Sequence, residues 1–126
     1  EVGERLHGIR PGLAWCLSPC PPPTGRDQLM QDSDAWLAEG QVDLLVPQFY
    51  RPTVEGFHQV LRRTLAPLPT ERRRQVVAGL ALRANGRDLG TEAVRRMVRI
   101  GRAAGVGGVA VFHHGLLGEG GVCWPT

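Results

Sequence analysis

Residues 42–48 read Val-Asp-Leu-Leu-Val-Pro-Gln and run straight into Phe49 and Tyr50. Gly40 stands before the run and Pro52 after it. A short, nearly continuous apolar run between such stops is the pattern of a strand covered on both faces, as in a parallel sheet. Three more runs of this kind flank it: Ile9–Trp15, Val76–Leu82 and Gly107–His113. The four begin at positions 9, 42, 76 and 107, which are 33, 34 and 31 residues apart. A strand–helix–strand unit takes about 30 residues or more, so the spacing predicts repeated βα units.

The stretches between the runs carry helical periodicity. Asp27–Glu39 is expected to form the first helix, with Leu29, Met30, Trp36 and Leu37 on one face and Gly40 as its stop. Val54–Leu65 is the second. Thr53 is placed to cap it, Phe57, Val60, Leu61 and Leu65 form its apolar face, and Pro67 and Pro69 follow its end. Glu92–Ala104 is the third, with Thr91 as cap and Gly105 as stop. Its Val94, Met97, Val98 and Gly101 face the sheet, while Arg95, Arg99 and Arg102 line the outer side as a solvated stripe. Ser18–Gly25, with three consecutive prolines, is a stiff loop after the first run. The segment 116–126 is an irregular glycine-rich tail.

Composition narrows the class. The chain has 126 residues, 42% of them hydrophobic and 21% charged, which is ordinary for a single globular domain. No apolar stretch approaches the roughly 20 residues of a membrane helix, so no membrane span is expected. The N-terminus has no basic-then-apolar export pattern, and the chain reads as cut from something longer. All 15 basic residues are arginine and the net charge is only +3. They are dispersed, with Arg72-Arg73-Arg74 as the one local run. Nucleic-acid binders concentrate charge in a patch with interleaved aromatics, so no nucleic-acid partner is expected. Cys16, Cys20 and Cys123 make neither a disulfide framework nor a metal-ligand spacing, so neither a metal nor a cofactor is implied.

The string from Trp36 to Tyr50, AWLAEG leading into QVDLLVPQFY from Ala35 on, resembles the glycosyl-hydrolase-like 10 family. In that family of bacterial (β/α)8-barrel proteins, a helix of the type W-x-x-x-G enters a strand ending in P-Q-x-Y. The matching positions here are Trp36, Gly40, Asp43, Pro47, Gln48 and Tyr50. VVAGLALR and VGGVAVFHHGLL are similar to the later strands of such a barrel. A full barrel takes about 250 residues. The resemblance therefore implies one partial domain, residues 1–126, comprising the C-terminal half of a (β/α)8 barrel: four parallel strands with three intervening helices. It implies a carbohydrate substrate, a bacterial cell-wall glycan, and an extracytoplasmic setting. It also implies that the catalytic carboxylates lie in the half preceding residue 1, which leaves this chain inactive alone. Two open sheet edges would then pair with that missing half or with a second copy.

Chemistry in barrels of this kind sits at the C-terminal ends of strands. Gln48 and Tyr50 end the second run, Trp15 the first, Arg83 the third, and His113 and His114 the fourth. Gln can donate to one sugar hydroxyl and accept from another. Aromatic rings offer an apolar face to a sugar, Tyr with a polar tip. Arg can hold an anionic or hydroxyl group, and a His can carry a proton. These six are the expected substrate-binding residues. Glycoside hydrolysis needs a carboxylate pair, and these strand ends hold none; Asp88 and Glu119 fall in loops beyond them. The alternative reading is a small α/β ligand-binding module without catalysis. It would want a glycine-rich phosphate loop after the first strand, and SPCPPPTG is not one.

Overall fold

The computed structural model describes residues 2–113. His114, Glu119, Cys123 and the tail 116–126 lie outside the described residues. The chain opens with α1 (Val2–Ile9), followed by β1 (Cys16–Leu17), α2 (Thr24–Leu29), α3 (Ser33–Ala38) and β2 (Leu44–Leu45). It continues with α4 (Val54–Leu65), a 3-10 turn (Thr70–Gln75), β3 (Val77–Ala81), β4 (Arg83–Ala84), β5 (Arg87–Asp88), α5 (Thr91–Ala103) and β6 (Gly108–Phe112).

β1 pairs with β2 in parallel, and β3 pairs with β6 in parallel over five residues, Val77↔Gly108 to Ala81↔Phe112. Two parallel bridges, Leu45↔Val76 and Gln48↔Gly79, tie β2 to β3. The four segments run the same way, as two two-stranded parallel sheets, β1-β2 and β3-β6, joined only by those isolated bridges. β4 and β5 form a separate antiparallel hairpin, Arg83↔Asp88 and Ala84↔Arg87. Its turn is Asn85-Gly86, with φ of 51° and 73°. Two left-handed residues in succession make the hairpin turn that matches strand twist, and Asn-Gly is its strongest sequence signal.

The expected strand at Ile9–Trp15 is displaced. Ile9 ends α1, and β1 begins at Cys16. Pro11 has no N–H to give a ladder and Gly12 sits at φ 86°, so Pro11-Gly12 turns the chain where a strand would have to pass. The expected helix over Asp27–Glu39 is two helices. Met30 adopts φ 56°, and the Gln31 side chain accepts from Cys20 N–H at 2.8 Å. Asp32, Ser33 and Asp34 follow, residues that favour helix starts over interiors. α4 and α5 match their expected spans within a residue. Thr53 caps α4, its Oγ1 accepting from Gly56 N–H at 3.1 Å. At α5 the cap position is Gly90, and Thr91 is the first helical residue.

α4 and α5 cover one face of the strand array. Phe57, Val60 and Leu61 of α4 and Val94, Met97 and Val98 of α5 pack against Leu45, Phe49, Val76, Ala78 and Leu80. Phe49 and Phe57 meet edge to face at 6.0 Å. Alternation decides what the other face shows. Leu45, Pro47 and Phe49 are buried towards the helices, whereas Leu44, Val46, Gln48 and Tyr50 are partly or fully exposed. On β3 and β6 that opposite face carries Gly79, Ala81, Gly108 and Ala110 before ending in Phe112. Gly79 is obligatory there: a Cβ would lie 2.7 Å from the Pro47 carbonyl oxygen. Among the described residues, β1 and β6 each pair on one side only.

Candidate functional site

The strand C-terminal ends place Ser18, Gln48, Tyr50, Arg83, Phe112 and His113 on one rim. Two residues beyond the Gln48↔Gly79 bridge come Tyr50 and Ala81, and Ala81 pairs with Phe112. Ala81 is too small to separate its neighbours, so the two rings meet above it. Tyr50 and Phe112 stack with centroids 5.6 Å apart and an interplanar angle of 24°. His113 meets Phe112 edge-on at 5.0 Å. Phe112 is 55% exposed, an unusual state for a ring that ends a strand. Burial raises the Tyr50 hydroxyl pKa above its ordinary value, so the phenol remains a donor at neutral pH.

Gln48 lies on this rim, exposed, with its amide engaged. Its Nε2 donates to the Ser18 carbonyl at 3.1 Å, and its backbone N–H donates to the Pro19 carbonyl at 3.0 Å. Ser18 Oγ donates back to the Val46 carbonyl at 2.9 Å. These bonds stitch the loop after β1 to the loop after β2. Gln48 therefore fixes the position of Tyr50, two residues on. Arg83 is exposed beyond β3, forked onto Asp88 across the β4–β5 hairpin with Nε–Oδ1 at 2.6 Å and Nη2–Oδ2 at 3.2 Å. That fork holds the Asp88 carboxyl below its usual range. Asp88 is thus kept ionised and cannot act as a proton donor near neutral pH. Because Asp88 occupies the Arg83 fork, Arg83 closes the hairpin in this arrangement.

Trp15 is not on the rim. It precedes β1 and sits at the opposite end of the strands, a direct consequence of the Pro11-Gly12 turn shifting β1 forward. There its N–H donates to Asp43 Oδ2 at 2.6 Å, and its carbonyl accepts from Asp43 N–H and Leu44 N–H. His7 Nε2 meets the same carboxylate oxygen at 2.9 Å, and Gln75 Nε2 donates to the Asp43 carbonyl. The Trp15 N–H, with His7 adding to it, pulls the Asp43 carboxyl pKa below its ordinary value against a smaller push from desolvation. Asp43 is therefore a clip that joins α1, β1 and the 3-10 turn at the structural end of the fold. The Trp15 ring lines a cleft of about 510 Å3 with Trp36, Leu17 and Val42.

No family model, curated protein or solved structure matches this chain. Its function is therefore read from its own geometry. Among the described residues, no group of three or more His, Cys, Asp or Glu side chains could hold a metal ion. Cys16 and Cys20 are free thiols. No described helix is long and apolar enough to cross a membrane. Phe112 is the rim residue that sequence reasoning missed. Its signal was parity: on Gly107–His113 the residue that shares a face with Gly108 and Ala110 is Phe112.

Proposed function

We propose that the chain is the C-terminal half of a (β/α)8 barrel of the glycoside-hydrolase type, and that its rim binds a glycan. The observation that carries this reading is the Tyr50–Phe112 stack at the C-terminal ends of parallel segments. In barrel enzymes ligands bind at that end. A stacked, half-exposed aromatic pair gives a sugar ring an apolar floor, and the Tyr50 hydroxyl gives it one hydrogen-bond partner. The face beneath, with small residues Gly79, Ala81, Gly108 and Ala110, of which Gly79 and Ala81 are buried, is the side a closed barrel turns inward. The resemblance of the Trp36–Tyr50 string supports the same reading.

The chain binds and does not cleave. Among the described residues, the carboxylate that follows a strand end, Asp88, is committed to Arg83, and cleavage needs an acid and a second carboxylate flanking the bond. On this reading those groups lie in the other half of a barrel, paired along the edges of both β1 and β6 that are free among the described residues. Val2, Ile9, Leu29 and Met30, all more than half exposed, lie in the segments that lead into and out of β1.

Calorimetric titration with N-acetylglucosamine oligomers tests the reading. The 126-residue chain should bind them, and Tyr50→Ala and Phe112→Ala should each weaken binding about tenfold, the loss of roughly 1.4 kcal/mol. Equal affinity in both variants would remove the rim as the glycan site.

A further inference from the structure

A second cleft, of about 590 Å3, opens far from the rim, between the later turns of α4, the 3-10 turn and the end of α5. Arg62 and Arg63 enter it from α4 together with His58, Arg73 from the 3-10 turn, and Leu65 and Ala104 supply apolar wall. No acidic side chain lines it. Other arginines of this protein are neutralised: Arg26 by Asp27, Arg83 by Asp88 and Arg99 by Glu92. The three arginines of the cleft make no ion pair among the described residues. Arg73 Nε is, moreover, buried without an acceptor. A buried N–H donor left unpaired is costly, and an oxyanion in the cleft would supply its partner.

Helix C-termini work against an anion here, since α4 and α5 both end at this side of the molecule. Each such end carries roughly half a negative charge. Two of them amount to about one charge against three guanidinium groups, so the net field still favours an anion. A guanidinium fork matches a tetrahedral oxyanion in two-point geometry. The cleft falls within the roughly 300–1,000 Å3 of small-molecule sites. It therefore has room for an organic body against Leu65 and Ala104 as well as for the anionic head.

We propose that this cleft is an anion-binding site for a small ligand bearing a phosphate or sulfate ester, with Arg62, Arg63 and Arg73 as its ligands. It stands apart from the glycan rim. In the intact 126-residue chain, the Nε–H signals of the arginines are followed by NMR during titration with inorganic phosphate, inorganic sulfate, glucose 6-phosphate and glucose. Arg62, Arg63 and Arg73 should shift selectively with the oxyanions and stay still with glucose. Tighter binding of inorganic phosphate than of sulfate assigns the phosphate head, the reverse order the sulfate head, and tighter binding of glucose 6-phosphate than of inorganic phosphate shows that the cleft takes an organic body as well. Arg62→Gln with Arg63→Gln, both exposed and so tolerated by the fold, should weaken binding tenfold or more, while Tyr50→Ala leaves it unchanged. Uniform small shifts of all arginines, or undiminished binding in the double variant, would overturn the proposal. Loss of glycan binding at the rim would leave it standing, so the two readings fail separately.

Discussion

Replacing Gly79 with alanine strikes the seam between β2 and β3. The added Cβ would lie 2.7 Å from the Pro47 carbonyl oxygen and 3.4 Å from the Pro47 carbonyl carbon. Both are backbone atoms, so no side chain can swing aside. Gly79 N–H donates to that same oxygen at 3.1 Å, and moving the strands apart stretches this bond. Overpacking of this kind costs about 1–3 kcal/mol, and an impaired buried hydrogen bond adds about 1 kcal/mol. The sum, about 2–4 kcal/mol, is a large part of the 5–15 kcal/mol typical of a domain. Gly108→Ala on β6 is the control, because its Cβ would meet only Val77 methyls at 3.9 Å. That change should fall within about 0.5 kcal/mol of neutral or stabilise slightly, since a strand glycine carries an entropic cost. Urea unfolding followed by circular dichroism compares the two. The reasoning fails if Gly79→Ala unfolds at the same midpoint as Gly108→Ala.

Asp43→Asn should destabilise the protein at neutral pH by loosening the clip to Trp15 and His7. The folded Asp43 pKa lies below its unfolded value, so its stabilisation is complete above about pH 4 and drains away as acid protonates the folded carboxyl; acid titration of stability should be flatter in the variant. Asp34 has the opposite sign: burial raises its pKa and its Oδ1 has no hydrogen-bond partner. Asp34→Asn should therefore raise the urea midpoint at neutral pH, with the gain shrinking as pH falls towards the carboxylate range. The chain alone should release no product from peptidoglycan; turnover abolished by Asp88→Asn would show that it carries its own catalytic acid.

The places of β2, β3 and β6 were legible because those apolar runs recur at a βα spacing, and α4 and α5 because their apolar faces repeat cleanly. The start of β1 was not, because Leu13, Ala14 and Trp15 extend the apolar run backwards across Pro11-Gly12. Composition pointed to a strand there, and backbone geometry vetoed it. The break at Met30 depends on Gln31 bonding Cys20, a contact eleven residues back that no periodicity records. The β4–β5 hairpin was not foreseen: its Asn85-Gly86 turn signal hides inside what reads as a strand-to-helix connection. At the rim, Tyr50 was foreseeable from its place after Val42–Gln48. Its partner Phe112 was not, because the pairing needs the register of three strands and the small size of Ala81.

The most direct test of the glycan reading is where a bound sugar sits. Nuclear Overhauser contacts from the ring protons of chitotetraose should reach the Tyr50 and Phe112 rings and leave Trp15 and Trp36 untouched. Contacts confined to Trp15 and Trp36, at the opposite end of the strands, would contradict the account.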